Sequence, residues 1–142
     1  MHRRATTLLT VALLLAACAD GTILGPVTLP PGAVTFDALP IYAQWWADVE
    51  ACSGRTGDLG RVNWFVVPNA RWFGYEGEAY DGYWFRYHHR IILASAYVQD
   101  SLVVRHEMLH DLLDDGRHPP EYFVDRCGPQ VGARATSLDR LR

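Results

Sequence analysis

The stretch His106-Glu107-Met108-Leu109-His110 decides how this chain is read. Two histidines four residues apart on a helix share one face, about a turn from each other, so their imidazoles can converge on a single metal ion. The glutamate between them is turned roughly 60–100° around the helix, where it reaches a water on that ion. The motif predicts a hydrolytic zinc centre, with zinc as the expected cofactor.

The flanking residues describe the helix that carries it. Asp100 or Ser101 supplies an N-terminal cap, the helix is expected over about 102–114, and Gly116 is its natural stop. Pro119-Pro120 prevents it from resuming. At about 100° per residue, Val104, Met108, Leu112, Leu109, Leu102 and Leu113 form one broad apolar arc, interrupted by Arg105. His106, His110, Val103, Asp114 and Glu107 occupy the opposite arc. So apolar a helix is expected to be buried, and its unpaired polar arc would then be costly unless a metal satisfies it.

Catalytic zinc takes three protein ligands and keeps a position for water, whose pKa falls to about 7. His106 and His110 supply two ligands, and Glu107 has the reach of a general base. Asp114 lies eight residues beyond His106, about 12 Å along the axis, too far for a straight helix to wrap around one ion. The third ligand is therefore expected after the bend or from elsewhere. His118 is the first candidate, Asp115, Glu121 and Asp125 are alternatives, and His88 or His89 would serve only if that strand end meets the helix.

Over residues 102–122 the chain resembles the zincin metallopeptidases. Gly116-Arg117-His118-Pro119 is similar to the end of the metzincin pattern H-E-x-x-H-x-x-G-x-x-H, with departures. Leu113 stands at the pattern's glycine, Gly116 comes three residues late, and His118 comes two residues late. No methionine-turn signature follows. The resemblance implies peptide-bond hydrolysis of a peptide or protein substrate. It also implies an edge strand bordering the cleft, a role that residues 90–95 (RIILAS) fit, and an oxyanion-stabilising Tyr or His. Tyr122, His88 and His89 are candidates for that last role.

Elsewhere the chain reads as support for this helix. Residues 40–53 predict a helix with Asp37 as a plausible cap, Gly54 after its end, and Tyr42, Trp45, Trp46, Val49 and Cys52 at helical spacing. Residues 61–68 (RVNWFVVP), 82–87 (GYWFRY) and 90–95 predict strands, and the Gly- and Tyr-rich stretch 69–82 one or two shorter ones. His88-His89 sits at a hairpin corner or within one bent strand. Residues 121–127 form a short helix or strand, and residues 131–142 are polar and weakly patterned. The fold class expected is α+β: a small, twisted, mainly antiparallel sheet packed with an N-terminal helix and the buried motif helix.

Composition agrees with one folded unit. The chain has 142 residues, 49% hydrophobic and 20% charged, enough to bury a core and too short for two comfortable domains. All basic residues are arginines, and the formal charge of −3 argues against nucleic acid or an anionic surface as partner.

Residues 1–17 read as a targeting segment, with a basic start at His2-Arg3-Arg4 and an apolar run too short to span a bilayer. Leu15-Ala16-Ala17-Cys18 resembles a bacterial lipobox. That resemblance implies cleavage before Cys18, lipidation of Cys18, and an exported lipoprotein held at the cell envelope by this anchor. Residues 18–39, with Gly25-Pro26 and Pro30-Pro31-Gly32, would be a tether, with a short edge strand conceivable within 27–36. Residues 40–142 would be the domain. With Cys18 acylated, Cys52 and Cys127 remain to pair in an oxidising compartment. The expected protein is a lipid-anchored zinc peptidase. The alternatives are an inactive zincin-like metal-binding module and a structural envelope lipoprotein.

Overall fold

The computed structural model describes residues 28–132. The targeting segment, Cys18, the first part of the tether and residues 133–142 of the weakly patterned tail lie outside those residues. The architecture is α+β. Strands β1 (Val34–Thr35), β2 (Asn63–Val67), β5 (Gly82–Phe85) and β6 (Arg90–Ala94) form one sheet in the order β1-β2-β6-β5. Strands β3 (Phe73–Tyr75) and β4 (Glu78–Tyr80) form a separate hairpin. Two of the three pairings in the main sheet are antiparallel, but its central pair, β2 with β6, is parallel. Between these parallel strands the chain makes the β3–β4 hairpin and β5 rather than a crossover helix.

The period-two alternation of strand side chains sorts the core into two layers. Trp64, Trp84, Ile91 and Leu93 face helices α1 (Ile41–Ser53) and α2 (Ser101–Leu113), whose Tyr42, Trp46, Val49, Val103, Val104, Met108 and Leu109 complete that layer. Phe85, Ile92 and Ala94 face the other way, against Phe73 of the hairpin. Both faces of β6 are covered, so Ile91, Ile92, Leu93 and Ala94 are each fully buried. That is why the sequence reads there as a continuous apolar run rather than an alternation. It also corrects the expectation that residues 90–95 border a cleft: β6 is interior, flanked by β2 and β5, and the sheet edge on that side is β5.

The folded body begins before residue 40. β1 pairs with β2, Phe36 donates its N–H to the Trp64 carbonyl at 3.0 Å, and Phe36 and Leu39 pack on the core. This stretch covers an edge of β2 that would otherwise present unpaired backbone groups. Helix α1 starts at Pro40 without a side-chain cap, so Asp37 does not cap it; it ends on Gly54 at φ 70°. Tyr42, fully buried, donates its hydroxyl to the Val98 carbonyl at 2.7 Å.

Cys52 and Cys127 form a disulfide across 75 residues, tying α1 to a π-helical turn (Glu121–Arg126) and the short helix α3 (Gly128–Val131) that follow the motif helix. Among the described residues, no helix is long and apolar enough to cross a membrane.

Candidate metal centre

Asp100 caps α2, its carboxylate accepting from the N–H groups of Leu102 and Val103 at 2.9 and 3.2 Å. Val104, Met108 and Leu109 of the helix are buried as the apolar arc requires, but Leu102 is 42% exposed, and Val103 on the opposite arc is buried together with the histidines and Glu107. Arg105 is tolerated because its guanidinium reaches Asp48 on α1 at 2.6 Å. The helix runs over Ser101–Leu113 with Asp114 as its C-cap, in line with the expected 102–114 and two residues before Gly116. Asp114 turns into the left-handed region at φ 49°, a conformation its short polar side chain accepts.

That stop shapes the site. It turns the Asp115 carbonyl back to accept a hydrogen bond from His110 Nδ1 at 2.7 Å. The Asp115 carboxylate is clamped by Arg117, which holds it well below the usual carboxylate range and leaves its backbone, not its side chain, facing the histidine. His106 Nδ1 lies 3.3 Å from the Val131 carbonyl on α3. A ring nitrogen facing a carbonyl oxygen carries the proton, so in the neutral rings of His106 and His110 the lone pair sits on Nε2.

His118, swung back by the turn, puts its Nε2 2.9 Å from His106 Nε2. The donor atoms of His106, His110 and His118 all lie within 4.8 Å of one another, close enough to hold a metal ion. Ligands around 2.0–2.1 Å from a tetrahedral metal sit about 3.3 Å apart, and the His106–His118 pair at 2.9 Å already lies near that spacing. Carbonyls behind two of the rings fix their tautomers, as metal-ligating histidines require.

Phe123, from the π-helical turn, walls the cluster. Its ring centroid is 4.7–5.0 Å from all three imidazoles. Burial pulls the His110 pKa down to about 4 and lowers that of His118 as well. Both rings therefore stay neutral, and able to ligate, into mildly acidic solution.

Glu107 is buried against the edge strand. A Cβ on Gly82 would stand 3.0 Å from both Cγ and Oε1 of Glu107, and 3.0 Å from Val103 Cγ1, so the absent side chain makes room for the carboxylate. One pleat further on, Trp84 stacks parallel to His110, ring centroids 6.0 Å apart, and donates Nε1 to Asp111 at 2.8 Å. Asp111 is fully buried and also meets His89 Nδ1 at 2.9 Å and Arg61 Nη2 at 3.3 Å. This carboxylate pins the motif helix to β5, to the turn before β6 and to the loop before β2.

The other candidates fall elsewhere. His88 and His89 occupy the β5–β6 turn at φ 72° and 46°, His89 against Asp111 rather than the metal ligands. The hydroxyl of Tyr122 accepts a hydrogen bond from Arg55 at 2.8 Å, and its neighbour Phe123 is the side chain that meets the histidines. Glu121 pairs with Arg126. Among the described residues, Asp115, Glu121 and Asp125 are not in the group whose donor atoms converge.

Reading the sequence missed Gly82, Trp84, Asp111 and Phe123. A signal existed for Asp111, which falls between Glu107 and Val104 around the helix and so on its buried side. Comparison with protein-family models, curated proteins and solved structures finds no match, so the site is interpreted from its own residues.

Proposed function

We propose that the chain is a zinc-dependent peptidase of the zincin type. The observation that carries this reading is the three-histidine cluster with Glu107 set beside it against the sheet edge. His106, His110 and His118 would hold a zinc ion, which when bound would supply a Lewis acid and a water acidified to a pKa of about 7. A purely structural ion needs no base, whereas Glu107 is kept in place by a strand that gives up a side chain to admit it. Glu107 takes the proton of the attacking water and delivers it to the leaving amine. Phe123 and Trp84 flank the histidines with apolar surface, which limits water and strengthens the interactions of developing charge.

The substrate strand is expected along β5. Among the described residues β5 has a partner on one side only, so an extended peptide can add to its open edge, beside Glu107 and His110. Tyr122 is not the aromatic beside the cluster: its hydroxyl accepts from Arg55, and Phe123 is the ring that meets the histidines. A disulfide-braced domain behind a lipobox-like segment supports an exported lipoprotein, anchored at the cell envelope through Cys18.

The test is metal analysis and peptide-library hydrolysis on the wild-type protein, His106→Ala and Glu107→Gln. The peptidase reading expects stoichiometric zinc and cleavage in the wild type, loss of metal in the first variant, and retained metal without cleavage in the second. Wild-type protein that takes up no metal refutes the reading. Metal without cleavage of any peptide makes the chain a metal-binding module instead.

A further inference from the structure

A hollow of about 490 Å³ lies beyond the metal-ligand helix, lined by Arg61, Arg86, Tyr87, His88, His89 and Asp114. Four of these six side chains carry nitrogen donors, and one carries a negative charge. Arg86 directly follows β5, two residues after Trp84, whose ring stacks on His110. At about 3.3 Å per residue, the hollow therefore opens about 7 Å along the strand from the point where β5 passes the metal ligands.

We propose that this hollow is a subsite for a carboxylate of the bound peptide. The proposal rests on the peptidase reading for its substrate, and on the hollow alone for its chemistry. Two guanidinium groups present planar pairs of N–H donors, the geometry that fits a carboxylate. Among the described residues, Arg61 engages Asp111 through Nη2, and that buried carboxylate is already shared with Trp84 and His89.

The protein's own Asp114 marks the binding mode, lying 3.5 Å from Arg86. Both partners of that pair are more than half exposed, so it is weak and readily exchanged for an incoming carboxylate. Asp114 on the rim also makes a doubly charged phosphate the poorer guest. The turn that carries the histidines holds two successive non-glycine residues in the left-handed region, an arrangement that costs free energy and clusters at functional sites. Asn63 secures it, donating Nδ2 to the His88 carbonyl at 2.8 Å and its backbone N–H to that of His89 at 2.7 Å. A peptide paired along β5 thus lays a residue two or three positions from the cleaved bond over the hollow. The carboxylate comes from an acidic side chain there or from a chain terminus.

Two measurements on the metal-loaded protein test this. In the first, N-acetylglutamate is titrated while the ring signals of His88 and His89 are followed by NMR. Saturable shifts are expected at millimolar concentrations, lost in Arg86→Gln and reached at lower concentration in Asp114→Asn, which removes the competing carboxylate. Absent shifts, or shifts that survive Arg86→Gln, overturn the proposal.

In the second, Glu107→Gln protein binds host peptides in which one glutamate is moved along the chain, against glutamine controls and C-terminal amides. Glutamate at one position is expected to improve affinity about tenfold, an advantage lost in Arg86→Gln and weakened by salt. If only the free C-terminus has this effect, the terminus is the source. Equal affinity for glutamate and glutamine peptides and for acids and amides overturns the proposal while leaving the metal centre's hydrolysis intact. If no peptide binds but the Arg86-dependent shifts occur, the carboxylate site stands and the peptidase reading fails.

Discussion

Replacing Asp111 by alanine should cost this domain much of its stability, although the residue is neither a metal ligand nor part of an apolar layer. Its carboxylate accepts from Trp84 at 2.8 Å, His89 at 2.9 Å and Arg61 at 3.3 Å, and it is fully buried. Without it the indole N–H of Trp84, itself buried, has lost its acceptor, a penalty of about 1–3 kcal/mol. His89 and Arg61 are about a third or more exposed, so water compensates them in part and each contributes no more than about 1 kcal/mol.

The sum is about 1–5 kcal/mol, centred near 3, or a fall in Tm of roughly 10–20 °C at the centre of that range for a domain of this size. Urea unfolding of the metal-free protein, followed by tryptophan fluorescence, measures it. The same substitution in a Trp84→Phe background should cost about 1–2 kcal/mol less, because the orphaned donor is gone. A loss below about 1 kcal/mol for Asp111→Ala alone, or an equal loss in both backgrounds, would refute the assignment of Asp111 as the pin between helix and sheet.

Three further outcomes are expected. Metal-free protein should be most stable above pH 6.5 and weaken as the pH falls towards 4. The unfolded chain protonates His110 near its ordinary 6.5, whereas the folded one resists until about 4; that gap corresponds to about 3 kcal/mol, and His110→Gln should flatten the denaturation midpoint across this window. Gly82→Ala should keep the metal but lose hydrolysis, because the added methyl displaces the Glu107 carboxylate; unchanged turnover with unchanged metal content would contradict that placement. Cys52→Ser with Cys127→Ser should destabilise the fold by about 4 kcal/mol in the chain-entropy model. It should also weaken zinc binding, since Phe123 and the Val131 carbonyl belong to the segment that the bridge holds; a competitive chelator titration reads the second effect.

Local chemistry made much of this legible in advance. His106, Glu107 and His110 follow from helical spacing, the α1 stripe from its aromatics, and the cystine from arithmetic on three cysteines. His118 is the first candidate for the third ligand because it lies just past the turn at Gly116, ahead of the carboxylates of Asp115, Glu121 and Asp125. What stayed hidden depends on groups far apart in sequence. Nothing local says that β2 and β6 run parallel, or that residues 90–94 lie inside the sheet while residues 82–85 form its edge. The helix ends at Asp114 as its pattern predicts, but nothing local says that the Asp115 carbonyl just beyond it accepts a hydrogen bond from His110. Tyr122 and Phe123 are adjacent in sequence, and which of them meets the histidines is set by the π-helical turn.

The cystine has one more consequence. Cys52 and Cys127 enclose the whole main sheet except β1, and all three histidines of the cluster, within one covalent ring. The tip of the β3–β4 hairpin, Glu76-Gly77, is an exposed turn inside that ring. A single proteolytic nick there opens the ring without releasing a fragment: the two pieces stay linked through sulfur, with the histidines together on the later one. Such a molecule runs as one band without reductant and as two with it. Where a protease reaches the molecule, the hairpin can be lost as an intact loop while the three histidines stay together.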